Sequence, residues 1–264
     1  MKLERATVIS QEELYANTYL MWLSCPAVAK GASPGRFFML HCSDSLPAGR
    51  HGLDPLLPRP MSFHRFRDVD GERQFAILYD VRGRGTTWLS RRTAGDEIDV
   101  FGPLGHGYEV DKSTQHLLLV AGGLGVAAVV ALADQAVAAS QSVTLLQGAR
   151  SATHLFPPTM LPKEVEAIAA TDDGSAGHKG VVTDLFAERL SWADQVFACG
   201  PTPMFAAMAN IVREMSSRKP VQALLEERMG CGTGVCYGCA VFTPKGVRLV
   251  CKDGPRFELT EAFR

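Results

Sequence analysis

Short apolar runs separated by turn residues occupy roughly the first hundred positions of the chain. Runs of this length and spacing predict a β-barrel or sandwich built from several short strands. Pro- and Gly-rich stretches lie between the runs, notably at residues 46–60. We assign this first domain to residues 1–103, with strands predicted at residues 6–10, 18–23, 36–41, 74–79 and 97–101.

The hydrophobic pattern changes at about residue 104, where apolar strands begin to alternate with helix-length segments. This alternation predicts a parallel sheet with helices packed on it, which is a doubly wound α/β domain. We place this domain at residues 104–218. Its predicted strands are residues 117–120, 143–147, 165–170 and 195–199, and its predicted helices are residues 127–139, 183–190 and 204–215.

The remaining residues, 219–264, form a small third module that contains four of the seven cysteines. Cys231, Cys236 and Cys239 follow the spacing C-x4-C-x2-C, and Cys251 comes after eleven intervening residues. The first three match the plant-type spacing for a [2Fe–2S] cluster. Glycines throughout this loop allow its backbone to wrap closely around an inorganic core. We predict that two short strands, at residues 240–243 and 247–250, bring Cys251 to the loop.

A structural zinc site is the alternative interpretation of these cysteines. Zinc sites favour two C-x2-C pairs that lie well apart in the chain, whereas this module has one such pair and a nearby third cysteine. The spacing therefore favours the [2Fe–2S] cluster. A zinc-stabilised binding module without a redox role is the corresponding non-enzyme hypothesis.

A glycine-rich turn follows the first predicted strand of the α/β domain. Gly122, Gly123 and Gly125 lie between this strand and a helix, which is the context that a dinucleotide pyrophosphate requires. Cys199 ends the predicted strand at 195–199 and Gly200 follows it, at the strand-to-helix junction where ligands bind in open α/β sheets. Arg150 stands where an acidic residue often contacts the ribose, and an arginine there can face a ribose or a 2′-phosphate. The residues alone thus leave NAD and NADP both open.

Two segments of the first domain carry groups suited to a flavin nucleotide. Arg59–Pro60–Met61–Ser62 offers a guanidinium for a pyrophosphate and a hydroxyl for a ring nitrogen. Leu78–Tyr79–Asp80 ends a predicted strand, and the following turn contains Gly85 and Thr86, whose amide and hydroxyl groups suit a phosphate. Each segment alone is more typical of a surface turn with a basic residue.

Composition and charge narrow the class of protein. The chain has 264 residues, of which 46% are hydrophobic and 21% charged, as in a globular protein of two domains and a small module. A formal net charge of −1 gives no electrostatic reason to expect nucleic acid or an anionic membrane surface as a partner. The N-terminal residues lack an apolar signal core, and clustered cysteines fit a reducing compartment, so we expect a cytoplasmic protein.

One segment of the chain is long and carries no charged residues. Residues 113–133 contain no Asp, Glu, Lys or Arg, as a membrane span would. The three glycines within it favour a strand, a turn and a buried helix instead.

Taken in order, these motifs resemble the ferredoxin-reductase-like flavoproteins. Within that group, the C-terminal cysteine module is similar to that of the electron-transfer subunits of type B dihydroorotate dehydrogenases. The resemblance covers nearly the whole chain and implies an FAD-binding barrel, an NAD-binding α/β domain and a [2Fe–2S] module. The implied FAD contacts are Arg59, Pro60, Met61, Ser62, Leu78, Tyr79, Asp80, Gly85 and Thr86, and the implied iron ligands are Cys231, Cys236, Cys239 and Cys251.

The same resemblance implies a function and a partner. Electrons would pass from an FMN-containing dihydroorotate dehydrogenase subunit through the cluster and FAD to NAD⁺, in pyrimidine biosynthesis. The implied assembly contains two copies of each subunit. Similar subunits serve ferredoxin:NADP oxidoreductases and sulfide dehydrogenases, which are the alternatives. The chain departs from the wider group at Met61, where tyrosine is common, and at Asp80, where a basic residue is frequent and Arg82 follows two positions later.

Overall fold

The computed structural model describes residues 2–15, 17–43, 45–46, 50–51 and 54–263. The first part of the chain contains nine strands and two short helices in these residues. They are β1 (Lys2–Tyr15), β2 (Thr18–Ser24), α1 (Pro26–Ala29), β3 (Phe37–Leu40), β4 (Ser45–Leu46), β5 (Arg50–His51), β6 (Arg59–Ser62), β7 (Arg65–Val69), β8 (Glu72–Asp80), α2 (Arg84–Leu89) and β9 (Glu97–Leu104).

Seven of these strands form one barrel-like antiparallel sheet in the order β6-β3-β9-β1-β2-β8-β7. Side chains alternate between the inside and the outside along β9, as expected for strands with one buried face. The inside is filled by aromatic rings, with Phe38, Phe63 and Phe75 in mutual contact at centroid distances of 4.9–5.2 Å. The prediction of an antiparallel β domain is confirmed, although part of the segment 46–60 falls outside the described residues.

The rest of the described chain alternates strands and helices and then ends in a hairpin module. The elements are β10 (His116–Gly122), α3 (Val126–Ala138), β11 (Ser142–Ala149), β12 (Val165–Thr171), β13 (His178–Lys179), α4 (Val182–Leu190), β14 (Gln195–Cys199), α5 (Thr202–Glu214), β15 (Val221–Leu224), β16 (Ala240–Thr243), β17 (Gly246–Leu249), α6 (Val250–Asp253), β18 (Arg256–Glu258) and α7 (Leu259–Ala262).

The second sheet has the order β13-β12-β11-β10-β14-β15-β18, and every pair is parallel except β15 with β18. The predicted doubly wound domain is therefore confirmed. From β10 the chain first moves outward through β11 and β12, and it returns to the other side of β10 at β14. The gap between the loops after β10 and β14 is thus the switch point at which ligands bind in open α/β sheets.

The segment 219–264 is divided between two structures. β15 and β18 extend the second sheet, whereas β16 and β17 follow the cysteine loop and form a separate two-stranded sheet. The prediction of a strand at residues 247–250 is wrong at its end, because β17 stops at Leu249 and Val250 begins the short helix α6, which contains Cys251. A helical turn brings the backbone N–H of Cys251 within reach of Cys239, as described below.

Helix α3 explains the long uncharged segment of the sequence. Nine of its residues are buried, because one side packs on β10 and β11 and another on strands β7 and β8 of the barrel. A helix covered on two sides needs apolar residues over most of its surface. Among the described residues, the structure contains no helix with the length and apolar character that a membrane crossing needs.

Candidate functional site

The cysteine loop directs backbone amides at its own sulfur atoms. The N–H groups of Thr233 and Cys236 both donate to Cys231 Sγ at 3.4 Å, and Gly234 N–H donates to Cys251 Sγ at 3.1 Å. Gly238 N–H donates to Cys236 Sγ at 3.5 Å, and Cys251 N–H donates to Cys239 Sγ at 3.4 Å. Such donors stabilise negative charge on sulfur, so the loop fits thiolates bound to iron.

The four thiols are arranged as two neighbouring pairs. Cys231 lies beside Cys236, and Cys239 lies beside Cys251. In the described part of the chain, no three His, Cys, Asp or Glu side chains converge on one ion-sized point. Two pairs suit a cluster with two irons, each held by two thiolates. The geometry therefore fits a [2Fe–2S] group.

The two pairs have different electrostatic environments. Burial alone would raise the pKa of Cys231, but hydrogen bonds from Thr233 and Cys236 outweigh it and lower the pKa to about 5. Burial, followed by the proximity of the Cys239 thiol, raises the pKa of Cys251 to about 12. The Cys231 thiol is thus ready to be charged at neutral pH, whereas the Cys251 thiol needs a bound cation to lose its proton there.

The pairs also differ in their access to solvent. Cys239 and Cys251 are buried in the same core cluster as Phe37, Met39 and Leu104 of the barrel. Cys236 is exposed, and Cys231 is half-buried. The cysteine loop therefore has an inner side facing the barrel and an outer side facing solvent.

The inner side packs directly on strands of the barrel. A side chain at Gly232 would come within 2.7 Å of Met39 Cγ and 3.0 Å of Leu104 Cδ1, so only glycine fits there. Met39 on β3 is the strand partner of Pro60 on β6, which lies in the motif predicted to bind FAD. One strand pair thus separates the cysteine loop from that motif.

The two segments of the barrel that were predicted to bind FAD meet at Arg59. A Cβ atom at Gly85 would lie 2.9 Å from Arg59 Nε, so the guanidinium lies over this glycine. Thr86 Oγ1 accepts hydrogen bonds from the N–H groups of Arg82 and Gly83, and this holds the start of α2 beside Arg59. A guanidinium beside a glycine backbone leaves space and positive charge that fit a pyrophosphate.

The other predicted FAD residues divide between the two faces of their strands. Met61 and Tyr79 point into the barrel core, and the Tyr79 hydroxyl donates to Gln11 Oε1 at 2.7 Å. Leu78 points the opposite way, into the core shared with α3. Ser62 is half-buried on β6. The side chains of Met61, Leu78 and Tyr79 are therefore used for packing, and their backbone is the part left to face a cofactor.

Asp80 is held by two partners. Its carboxylate accepts a hydrogen bond from Thr18 Oγ1 at 2.8 Å and forms an ion pair with Arg82 at 2.9 Å. Asp80 and Arg82 therefore act together, and Arg82 is the more exposed of the two.

The glycines after β10 allow the two loops at the switch point to touch. A side chain at Gly125 would overlap the carbonyl oxygen of Cys199, and one at Gly122 would approach Pro201 within 2.7 Å. Gly200 is enclosed in the same way by Met204 and Gly122. Gly123 differs, since it has a φ of +55° and open space around it. Gly123 is therefore the glycine that leaves its backbone accessible to a ligand.

Cys199 has a partner that the sequence analysis did not assign. Its thiol donates to Glu226 Oε1 at 3.5 Å, just after β15. Glu226 as a whole is exposed, but burial around its carboxylate raises its pKa, while the Cys199 hydrogen bond and the charge of Arg82 act against this. Arg82, which follows the predicted FAD segment of the barrel, and Cys199 at the switch point thus both act on the Glu226 carboxylate. Only the position of Glu226 after an apolar run could have suggested this role.

Arg150 is exposed beyond β11, in a segment rich in hydroxyl groups. Ser151 Oγ and His154 Nδ1 lie 2.8 Å apart, and Ala152 N–H donates to Ser175 Oγ at 2.7 Å. This segment lies at the same sheet edge as Gly123, where the ribose end of a dinucleotide would be expected.

The barrel, the α/β sheet with its glycine loop and the paired cysteines define a ferredoxin-reductase-like flavoprotein with an iron–sulfur module. Residues 226–262 match the family described as the iron–sulfur cluster binding domain of dihydroorotate dehydrogenase B. Over its length the chain is similar to electron transfer subunits of dihydroorotate dehydrogenase B (NAD(+)). It is 36% identical to that of Geobacillus thermodenitrificans strain NG80-2, covering 98% of this chain and 97% of the relative.

The corresponding subunit of Geobacillus sp. strain WCH70 is 38% identical, covering 99% of this chain and 98% of the relative. The chain belongs to the family of dihydroorotate dehydrogenase B electron transfer subunits. Among solved structures, an NADH-dependent reduced ferredoxin-NADP oxidoreductase superposes with a TM-score of 0.80 at 29% identity, covering 97% of this chain and 88% of the other. A ferredoxin reductase of carbazole 1,9a-dioxygenase, at 22% identity and a TM-score of 0.64, shares the fold.

Proposed function

We propose that this chain passes electrons from the catalytic subunit of a dihydroorotate dehydrogenase, through a [2Fe–2S] cluster and FAD, to NAD⁺. The near full-length similarity to such subunits and the iron–sulfur family match support this proposal. The observation that carries it is the two-sided cysteine loop. Its buried pair shares a core cluster with Met39 of the barrel, the strand partner of Pro60, while Cys236 is exposed to solvent.

Cys231, Cys236, Cys239 and Cys251 would hold the cluster. The residues that would bind FAD are Arg59, Pro60, Met61, Ser62, Leu78, Tyr79, Asp80, Gly85 and Thr86, and those that would bind the dinucleotide are Gly122, Gly123, Gly125, Cys199 and Gly200. A bound flavin supplies the exchange between two-electron nicotinamide chemistry and one-electron cluster chemistry. The chain's own contribution is to hold the three sites in this order and to exclude water between them.

The partner that contacts the cysteine module around Cys236 is proposed to be an FMN-containing catalytic subunit, in an assembly of two copies of each chain. Several large apolar side chains are exposed on the cysteine module. Val235 and Tyr237 flank Cys236 in the loop and are 78% and 64% exposed, and Phe242 on β16 is 87% exposed opposite Val247 on β17. Exposed apolar side chains grouped in this way are typical of a protein interface. Leu56 and Leu57, before Arg59, are a second candidate contact.

We further propose that the chain divides at the predicted limits, with residues 1–103 for FAD, 104–218 for NAD and 219–264 for the cluster. In this division β15 and β18 of the third part complete the sheet of the second.

The proposal is tested by combining the anaerobically purified chain with the catalytic subunit encoded in the same genome. The expected result is NAD⁺-dependent oxidation of dihydroorotate to orotate, with about two irons and two sulfides per chain. Rapid reduction of ferredoxin without orotate formation would instead favour a ferredoxin oxidoreductase, which the superposed NADH-dependent enzyme makes the second candidate. Colourless protein that contains zinc would contradict both.

A further inference from the structure

The barrel and the second sheet share an apolar core at α3. Ala76 and Leu78 of the barrel pack in one cluster with Val126, Ala127 and Val130 of the helix. Apolar packing of this kind holds two bodies together, but it is not directional and does not by itself define their spacing. Directional polar contacts across the same interface therefore decide how precisely the two cofactor sites are placed.

The first such contact is made by His64, two residues after Ser62 of the FAD motif. Its Nδ1 lies 3.0 Å from the carbonyl oxygen of Ala127, and the side chain is fully buried. Since a carbonyl can only accept, Nδ1 carries the proton. The edge of the Phe156 ring lies against the same imidazole, with a centroid distance of 5.3 Å. The imidazole is thus fixed between β6 and the first turn of α3.

The second contact is made by the next residue, Arg65. Its Nε donates to Asp134 Oδ2 at 2.8 Å and its Nη2 donates to Asp134 Oδ1 at 2.7 Å. This is a two-point pair with defined geometry, and its side chains are only 20% and 30% exposed. Asp134 lies seven residues after Ala127, which places both on one face of the helix, two turns apart. His64 and Arg65 therefore hold α3 at two points along its axis.

We propose that His64, Arg65 and Asp134 form an interdomain latch of positioning residues that sets the distance between the flavin and the nicotinamide. This inference rests on the proposed function. The latch begins directly after Arg59–Ser62 and ends on the helix that follows Gly123–Gly125. A shift of α3 would therefore change the separation of the two cofactor sites. Hydride transfer from NADH to FAD, which takes up one proton to give NAD⁺ and FADH₂, depends steeply on that separation.

The test uses the FAD- and cluster-loaded protein in complex with its catalytic subunit. Arg65→Met and Asp134→Asn are made singly and together, and the reversed pair Arg65→Asp with Asp134→Arg is made as a rescue. Rapid mixing with NADH measures the rate of FAD reduction separately from the dissociation constant of NADH. Hydrogen exchange of the cofactor-free protein measures protection at the first turns of α3.

Each single variant is expected to reduce FAD about 10- to 100-fold more slowly, with little change in NADH affinity or FAD content. The double variant is expected to be no worse than the poorer single variant, and the reversed pair is expected to recover part of the rate. Exchange at residues 126–130 is expected to be faster in both single variants.

Arg5→Met is the matched control, because Arg5 pairs with Glu97 and Asp99 within the barrel sheet. It is expected to leave the rate of FAD reduction unchanged. Wild-type rates and wild-type exchange in the Arg65 and Asp134 variants would overturn the latch. If the unaltered complex fails to reduce FAD with NADH at all, the proposed function fails instead, so the two outcomes are distinct.

Discussion

At the scale of single residues, the four cysteines of the module differ in their burial and in their surroundings. Cys239 and Cys251 are buried in a core cluster that includes barrel residues, while Cys236 lies at the surface beside Val235 and Tyr237. The backbone N–H groups that point at the sulfurs come from glycines, from Thr233 and from the cysteines themselves. The loop is thus a scaffold for charge on sulfur, and Cys236, as a proposed ligand at the surface, would lie nearest to the proposed partner.

Replacing Cys236 by Ser tests this arrangement. Loss of one thiolate ligand is expected to lower the cluster content, while FAD binding in the barrel is retained. Transfer from the catalytic subunit should then fall by at least about tenfold, whereas direct reduction of FAD by NADH persists. Iron analysis and rapid mixing measure the two effects. Cys42→Ala, which removes a buried thiol of the barrel core, is the control, and full activity of the Cys236 variant would contradict the electron route.

Gly125 provides a second test at this scale. A Cβ atom there would overlap the Cys199 carbonyl, so Gly125→Val must separate the loops after β10 and β14. Such overpacking costs about 1–3 kcal/mol and should weaken NADH binding roughly tenfold or more, with cluster and FAD content retained. Titration with NADH measures the affinity. An unchanged dissociation constant would show that this loop does not hold the dinucleotide.

The buried imidazole of His64 predicts how the stability of the protein depends on pH. Burial is the main cause that lowers the pKa of His64 to about 3, and Arg65 adds to it. Below the unfolded pKa of about 6.5, the unfolded chain binds a proton that the folded chain excludes, so stability is lost as the pH falls from about 6.5 towards 3. The loss is about 2 kcal/mol between pH 7 and pH 5. Denaturant unfolding should show this slope in the wild type and less of it in His64→Gln; equal slopes would contradict it.

At the scale of elements, the β16–β17 hairpin has an apolar face with no contact in the described chain to cover it. Phe242 and Val247 are a cross-strand pair, and both are exposed. Phe242→Ser is expected to weaken binding of the catalytic subunit by about tenfold or more, as loss of an aromatic anchor does at an interface. Met215→Ser, which removes an exposed apolar side chain at the end of α5, is the control. Equal weakening by both variants, or by neither, would reject the hairpin as the contact.

The sequence predicted the patterned elements of the α/β domain and the short strand β16, but it covered only residues 6–10 of the long strand β1 and missed several short elements. The strand at residues 195–199 and helices α3, α4 and α5 were predicted within two residues at each end. β6 was missed because Pro60 argues against a strand, and it is tolerated there because β6 lies at an edge of the sheet. β15 and α2 were missed because four to six residues carry too little periodicity.

The residues of the candidate site also differ in how far the sequence could predict them. Local spacing identified the cysteines and glycine loops, since their chemistry depends on neighbours in the sequence. Partners distant along the chain left no such signal. Cys199 meets Glu226 and Arg65 meets Asp134 only because the sheets bring them together. These contacts follow from tertiary structure rather than from any motif.

At the scale of the whole molecule, a series of contacts connects the cysteine loop, the strand proposed to bind FAD and the helix after the glycine loop. The cysteine loop packs on β3, β3 pairs with β6, and the residues after β6 contact the helix that follows the nucleotide loop. This order matches a path from a one-electron centre to a two-electron acceptor. Disturbing either junction should slow transfer across that junction and leave the other step intact.

The most direct test follows the cluster during turnover of the complete complex. Freeze-quenched samples are taken after mixing with dihydroorotate and examined by electron paramagnetic resonance, first without and then with NAD⁺. A paramagnetic signal of the reduced [2Fe–2S] cluster should form in less than one turnover time and disappear when NAD⁺ is added. NADH production at the full rate by a complex that has FAD but no cluster would contradict the account.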